Sequence, residues 1–288
     1  MCLIVVAWRV HPRWPLVLAG NRDEFHARPT LALAPWAERP DIVGGRDALH
    51  GGSWLAVRGR RLAAVTNVRL PHEPDGRSRG HLVRDFVGGA ASASSYADAL
   101  RGDAREYRPF NLLVHDGGAL AYAGNRPAFS MQALAPGLHG LSNGPLDAPW
   151  PKVEALRAAM AAWLDAYAAD HDSRPHDAAS LDRASHGSPD IEAPDVEEAP
   201  DIEPLFAALA DPGRADDARL PDTGVGLERE RFLSSAFIAG DTYGTRASTV
   251  VLVSDADVRI VERRFGPRGT ALGETRHAYA IAAGAATT

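Results

Sequence analysis

The chain has 288 residues, 45% hydrophobic and 24% charged, which supplies enough apolar side chain for a large buried core and excludes disorder as the default reading. Its formal net charge of −6 offers no positive field to gather phosphate backbones, so nucleic acid is not expected as a partner. A single cysteine excludes an internal disulfide and a thiolate zinc cluster, and it points to a reducing, cytoplasmic setting.

The opening apolar run from Cys2 to Trp8 is too short for a signal-peptide core, and Arg9, His11 and Arg13 break it at once. With Leu16 to Gly20, after the turn at His11 to Pro15, it predicts a buried hairpin. Gly51 and Gly52 punctuate the chain before a second strand pair, Ser53 to Val57 and Leu62 to Asn67. Ser53 and Trp54 are read there as a turn and the start of a core strand, not as pocket residues. Helical spacing follows over Gly80 to Val87 and over Tyr96 to Arg101. Phe110 to His115 and Ala119 to Ala123, joined by Asp116, Gly117 and Gly118, predict a third hairpin.

Pro151 opens a helix running to about Asp170, with Val153, Leu156, Met160, Trp163 and Tyr167 on one face; that stripe is core. Residues 171–203 change character: acids, histidines, serines and prolines replace the apolar periodicity, and Pro-Asp-Ile or Pro-Asp-Val recurs three times. This is a low-complexity acidic insertion, expected as a disordered loop within a single domain over 1–288. Its His171, His176 and His186 are read as solvated, and no metal or other cofactor is expected. Ser248 to Val253 and Val258 to Arg263 predict a closing hairpin. No run reaches the ~20 apolar residues of a spanning helix, so no integral membrane segment is expected.

Cys2 draws attention by its position. Removal of Met1 before a small residue leaves one residue carrying both a thiol and a free α-amine, whose ordinary pKa of about 7.7 to 8.0 suits a general base near neutral pH. A buried cysteine starting an apolar strand is the competing reading. Beyond the first hairpin stand Asn21, Arg22, Asp23, Glu24 and Phe25, expected at the end of the second strand and close to the start of the first. Asp23 there suits an N-terminal ammonium, and Arg22 suits a thiolate; a surface turn with weak ion pairs is the alternative.

Met1-Cys2-Leu3-Ile4 followed by Ala19-Gly20-Asn21-Arg22-Asp23-Glu24-Phe25 resembles the signature of the NRDE family, also called the transport and Golgi organization protein 2 family. The resemblance continues, in order, through Gly51-Gly52-Ser53-Trp54-Leu55, Thr66-Asn67-Val68-Arg69, Ser78-Arg79-Gly80, Phe110-Asn111-Leu112-Leu113, Leu141-Ser142-Asn143, Pro149-Trp150-Pro151-Lys152-Val153, Leu220-Pro221-Asp222-Thr223-Gly224-Val225 and Tyr243-Gly244-Thr245-Arg246. That family resembles, more distantly, the N-terminal-nucleophile hydrolases of the bile-salt and penicillin V amidase type. The resemblance implies an α+β fold, a four-layer αββα sandwich of two mainly antiparallel sheets flanked by helices. It also implies a site in which Cys2 is the nucleophile, Asn21 and Asp23 match a strand motif, Asn143 and secondarily Asn67 hold an oxyanion, and Arg246 matches a late arginine.

One departure matters. The leading arginine of the hydrolase motif falls on Gly20, and Arg22 occupies a variable site; because neighbouring strand residues face opposite sides, Arg22 is not expected to reach the thiol. Two functions therefore stand side by side. One is a cofactor-free cysteine hydrolase of a small amide or acyl substrate. The other is a non-enzymatic binding or trafficking protein, connected through the family with haem movement, lipid or acyl-CoA homeostasis and membrane-trafficking organisation.

Overall fold

The computed structural model describes residues 3–172 and 200–281. Its organisation follows from side-chain alternation in strands that are buried on both faces. β1 (Leu3–Trp8) and β2 (Leu16–Phe25) are antiparallel neighbours. Their even-numbered residues Ile4, Val6, Trp8, Leu16 and Leu18 enter one core, while Leu3, Val5, Ala7, Val17 and Ala19 enter another.

β3 (Thr30–Trp36), β4 (Arg39–Asp47), β5 (Leu55–Arg58), β6 (Arg61–Asn67), β7 (Phe110–His115), β8 (Leu120–Gly124) and β9 (Ser130–Ala133) form a seven-stranded antiparallel sheet in chain order. β10 (Gly137–Leu141), β11 (Tyr243–Val253), β12 (Asp257–Phe265) and β13 (Ala271–Ala280) join β1 and β2 in a six-stranded antiparallel sheet of order β10-β1-β2-β11-β12-β13. The sheets face each other across Ile4, Leu18, Leu55, Val57, Leu62 and Val251.

Helices close both outer faces. α1 (Gly80–Gly88) and α2 (Ala93–Ala99) pack Leu82, Phe86 and Ala97 against Ala63 and Leu112 of the seven-stranded sheet. α3 (Pro151–Asp172) and α4 (Glu203–Leu209) pack Leu156, Met160, Leu205 and Phe206 against Val5 and Val17. A short helix α5 (Leu227–Phe232) precedes β11. The result is the expected α+β arrangement in four layers, αββα. No helix among the described residues is long and apolar enough to cross a membrane.

The four predicted strand pairs and the long helix are present. α2 begins earlier than expected, because Ser92 caps it by accepting a hydrogen bond from Ser95 N at 3.1 Å. β2 also extends through Phe25, so Asn21 to Phe25 lie within a strand paired with β11 and not in a turn at its end. The acidic insertion is folded at its margins, since Asp172 ends α3, Ile202 is buried and Glu203 opens α4. Residues 173–199, with His176 and His186, lie outside the described residues.

Two polar devices fasten the six-stranded sheet to its helices. Asn21, fully buried on the helix side, donates from Nδ2 to Leu209 O and Ala236 O at 2.8 Å each and accepts from Ser248 Oγ at 2.6 Å. At the sheet edge, Asp147 takes a left-handed conformation (φ 58°) and accepts from Gly140 N at 2.7 Å and Arg157 Nη2 at 2.6 Å, with His139 Nδ1 3.0 Å away. The Asp147 bond raises the His139 pKa above its ordinary value. Burial acts against Asp147, but the bonds from His139 and Gly140 outweigh it and hold its carboxyl below the usual range.

Asn21→Ala strands two buried carbonyls, and it is expected to cost about 2–4 kcal/mol in chemical denaturation; a loss below about 1 kcal/mol would contradict this anchoring role. The His139–Asp147 pair gives a pH signature. A raised histidine contributes stability below its ordinary value of 6.5 and loses it as pH rises through its folded value. A depressed carboxylate contributes above its ordinary 3.8 and loses that as pH falls through its folded value. The melting-temperature difference between wild type and His139→Gln is therefore largest between these two values and shrinks on either side.

Candidate active-site cleft

β1 begins with Leu3 opposite Asn21 of β2. Just beyond, β2 sends Arg22 into the space between the sheets, where a cleft of about 90 Å³ lies between the end of β2, the turn before β5 and the end of β6. The wall opposite Arg22 is Trp54, with the guanidinium carbon 4.3 Å from the ring centroid. Trp54 reaches this place because Gly45 leaves room for it: a Cβ on Gly45 would fall 2.1 Å from the indole. Gly52 is equally constrained. It abuts the start of α1 so closely that a Cβ would meet the Gly80 carbonyl carbon at 2.5 Å, and Ser53 N donates to Gly80 O at 3.1 Å.

The charged groups form a chain. Arg28 grips Asp47 through two bonds, at 3.2 and 2.7 Å, and lies 3.6 Å from Glu24; Arg22 lies 3.8 Å from Glu24. Burial alone would lower Arg28, yet its bond to Asp47 and the charge of Glu24 leave it raised; burial would raise Asp47, yet Arg28 holds it down. Arg22 is different. It is 5% exposed, burial dominates the nearby Glu24 and lowers its pKa, and its Nη1 has no hydrogen-bond partner among the described residues.

A second polar network builds the β6 side. Asn143 donates from Nδ2 to Asn67 O at 3.0 Å and to Asn67 Oδ1 at 2.9 Å. Arg69 N donates to Asn143 O at 2.8 Å, and the Arg69 side chain is paired with buried Glu230 of α5, which accepts from Thr223 N at 3.0 Å. Thr66 Oγ1 holds Ser142 O at 2.7 Å, and Asn111 Nδ2 holds Gly144 O at 2.9 Å. Segments far apart in sequence, most of them motif blocks, thus meet in one network whose edge is Asn67. Because the Asn67 carbonyl oxygen takes a bond from Asn143, the amide orientation of Asn67 is fixed.

The candidate residues divide accordingly. Cys2 lies outside the described residues. Arg22, Asp23 and Asn67 line the cleft. Asp23 accepts from Thr245 Oγ1 at 2.7 Å, which fixes one carboxylate oxygen to β11. Arg22 borders the cleft and stacks on Trp54 of the inter-sheet core, whereas Asn21 points away to the helices. Asn143 stands behind Asn67, its amide hydrogens directed at Asn67 oxygens, so it orients Asn67 and does not face the cleft as a donor. Arg246 sits at a β-bulge and donates to Phe25 O at 3.1 Å and Arg28 O at 2.8 Å, clamping the turn after β2 without lining the cleft.

Sequence reasoning missed Trp54, Arg28 and Asp47 as cleft residues. Ser53 and Trp54 admit a pocket reading but read from sequence as a turn and a core strand, which the cleft lining corrects, and Arg28 and Asp47 fall outside the motif blocks; the Gly-Gly-Ser-Trp block was the one available signal.

The model of the family "Transport and Golgi organisation 2" matches residues 1–267. The Transport and Golgi organization protein 2 homolog of Bos taurus is 31% identical, over 98% of this chain and 99% of that protein. The Homo sapiens homolog is 30% identical, over 96% and 97%. Among solved structures, the Caenorhabditis elegans N-acylethanolamine-hydrolyzing acid amidase ortholog aligns over 58% of this chain and 79% of that one, at 14% identity and a TM-score of 0.37, a likeness too distant to carry an argument. With a family match spanning nearly its whole length and relatives aligned end to end, the chain belongs to the Transport and Golgi organisation 2 family.

Proposed function

We propose that the chain is a cysteine hydrolase of the N-terminal-nucleophile kind, acting on a small amide or acyl substrate after removal of Met1. The observation that carries this reading is convergence: Arg22, Asp23 and Asn67 border one cleft, and β2, which carries the first two, pairs with the strand that begins at Leu3.

In this reading the α-amine of Cys2, acting directly or through a water, takes the thiol proton, and the sulfur attacks the substrate carbonyl. Asp23 supplies the negative charge that balances the resulting ammonium. The Asn67 amide, oriented by Asn143, donates to the tetrahedral oxyanion. The intermediate collapses by breaking the carbon–nitrogen bond, the proton passes to the departing amine, and water then cleaves the thioester. Arg22 stabilises the thiolate through its charge.

A second reading rests on the buried guanidinium of Arg22, which equips the cleft to bind without reacting. In that case the protein is a ligand carrier, in keeping with the transport role in its relatives' name.

Since Cys2 is the chain's one cysteine, its chemistry is readable by mass. Purified protein is expected to lack Met1 and to gain a single adduct from a thiol-directed acylating probe, with no adduct on Cys2→Ala. Asn67→Ala is expected to slow acylation ~10²- to 10³-fold, the usual effect of losing an oxyanion donor. Retention of Met1 in reactive material would sink the hydrolase reading and leave the carrier.

A further inference from the structure

Arg22 presents an unsolved electrostatic problem within the chain. Its guanidinium is buried, stacked on Trp54, and 3.8 Å from its closest acid, while Nη1 has no hydrogen-bond partner among the described residues. Glu24 does not resolve it: one of its oxygens accepts from Phe25 N at 2.9 Å, and the other lies between Arg28 and Arg22 beyond bonding distance of both. Asp47 is engaged by Arg28. Asp23, which also borders the cleft, gives one carboxylate oxygen to Thr245 Oγ1. A water would complete the hydrogen bond of Nη1 but not strengthen the long ion pair to Glu24, and a buried charge matched only weakly is costly.

We propose that Arg22 and Trp54 form an anion subsite that receives a carboxylate of the ligand. The unfilled edge of a planar guanidinium matches a planar carboxylate. The indole gives both a flat wall, and the small volume admits a carboxylate with a short stem. Arg108, also bordering the cleft, adds positive potential at its rim. The ligand class is therefore a small carboxylic acid with an amide or acyl group close to the carboxylate. The subsite stands on Arg22 and not on the thiol, so it serves a hydrolase and a carrier alike.

The test is binding to the full chain, read by thermal shift and titration calorimetry, with N-acetylglycine and its uncharged counterpart N-acetylglycinamide. N-acetylglycine is expected to raise the melting temperature saturably, and N-acetylglycinamide is expected to leave it unchanged. Arg22→Met removes the buried charge, so the free protein is expected to melt higher than wild type while losing affinity for N-acetylglycine by more than about tenfold. Glu24→Gln keeps an acceptor for Phe25 N and removes a competing charge. It is expected to tighten N-acetylglycine binding about threefold, and it decides the matter if Arg22→Met does not fold.

Equal response to the two probes overturns the subsite, as does unchanged affinity in either variant. Tighter binding of inorganic phosphate than of N-acetylglycine overturns the carboxylate assignment. Acylation of Cys2 without an N-acetylglycine response counts against the subsite alone; an N-acetylglycine response without acylation counts against the hydrolase alone.

Discussion

The two-residue period of β2 is the constraint on which the rest of the molecule depends. This strand lies between β1 and β11 and is buried on both faces, so its register cannot slip without exchanging two cores. The same period that sends Leu18 to the inter-sheet core and Ala19 to the helices sends Arg22 to the cleft and Asn21 to Leu209 and Ala236. Four consecutive polar residues thus do two jobs: fastening the helical layer and charging the cleft.

The cleft is held by interactions that would be weak at the surface and are strong when buried. Arg69 with Glu230 sits where water does not compete, and Asn143, itself buried, holds half-buried Asn67 from behind. They bring together segments from β6, from the loop after β10 and from the chain around α5. The family blocks spread along the sequence therefore supply both this scaffold and much of the cleft lining, including Arg22, Trp54, Asn67 and Arg79. Leaving Arg22 poorly matched in such a setting costs stability, and it identifies where a ligand's charge belongs.

Much of the fold was legible. Hairpins such as β7–β8 carry apolar strands around an Asp-Gly-Gly turn, and α3 carries its stripe from Val153 to Trp163. β3 and β4 were not legible, because β3 is a largely exposed edge strand whose pairing is broken by register shifts near Pro35. The ends of the acidic segment were misread for a related reason: Ile202 is buried although its neighbours are acids and prolines. At the site, residue types were legible and directions were not. Arg22 and Asn21 could be assigned faces only once β2 was known to continue through Phe25. The order of Asn143 behind Asn67 depends on a contact spanning the seven-stranded sheet and the loop after β10. Trp54 has the composition of a core residue and the position of a cleft wall, a difference that Gly45 creates from another strand.

The proposed action of Arg22 on the Cys2 thiol is tested most directly by the pH dependence of Cys2 alkylation by iodoacetamide in wild type and Arg22→Met. A wild-type profile with a midpoint below about 8.5, the ordinary thiol value, is expected, with an upward displacement in the variant. Superimposable profiles would contradict it.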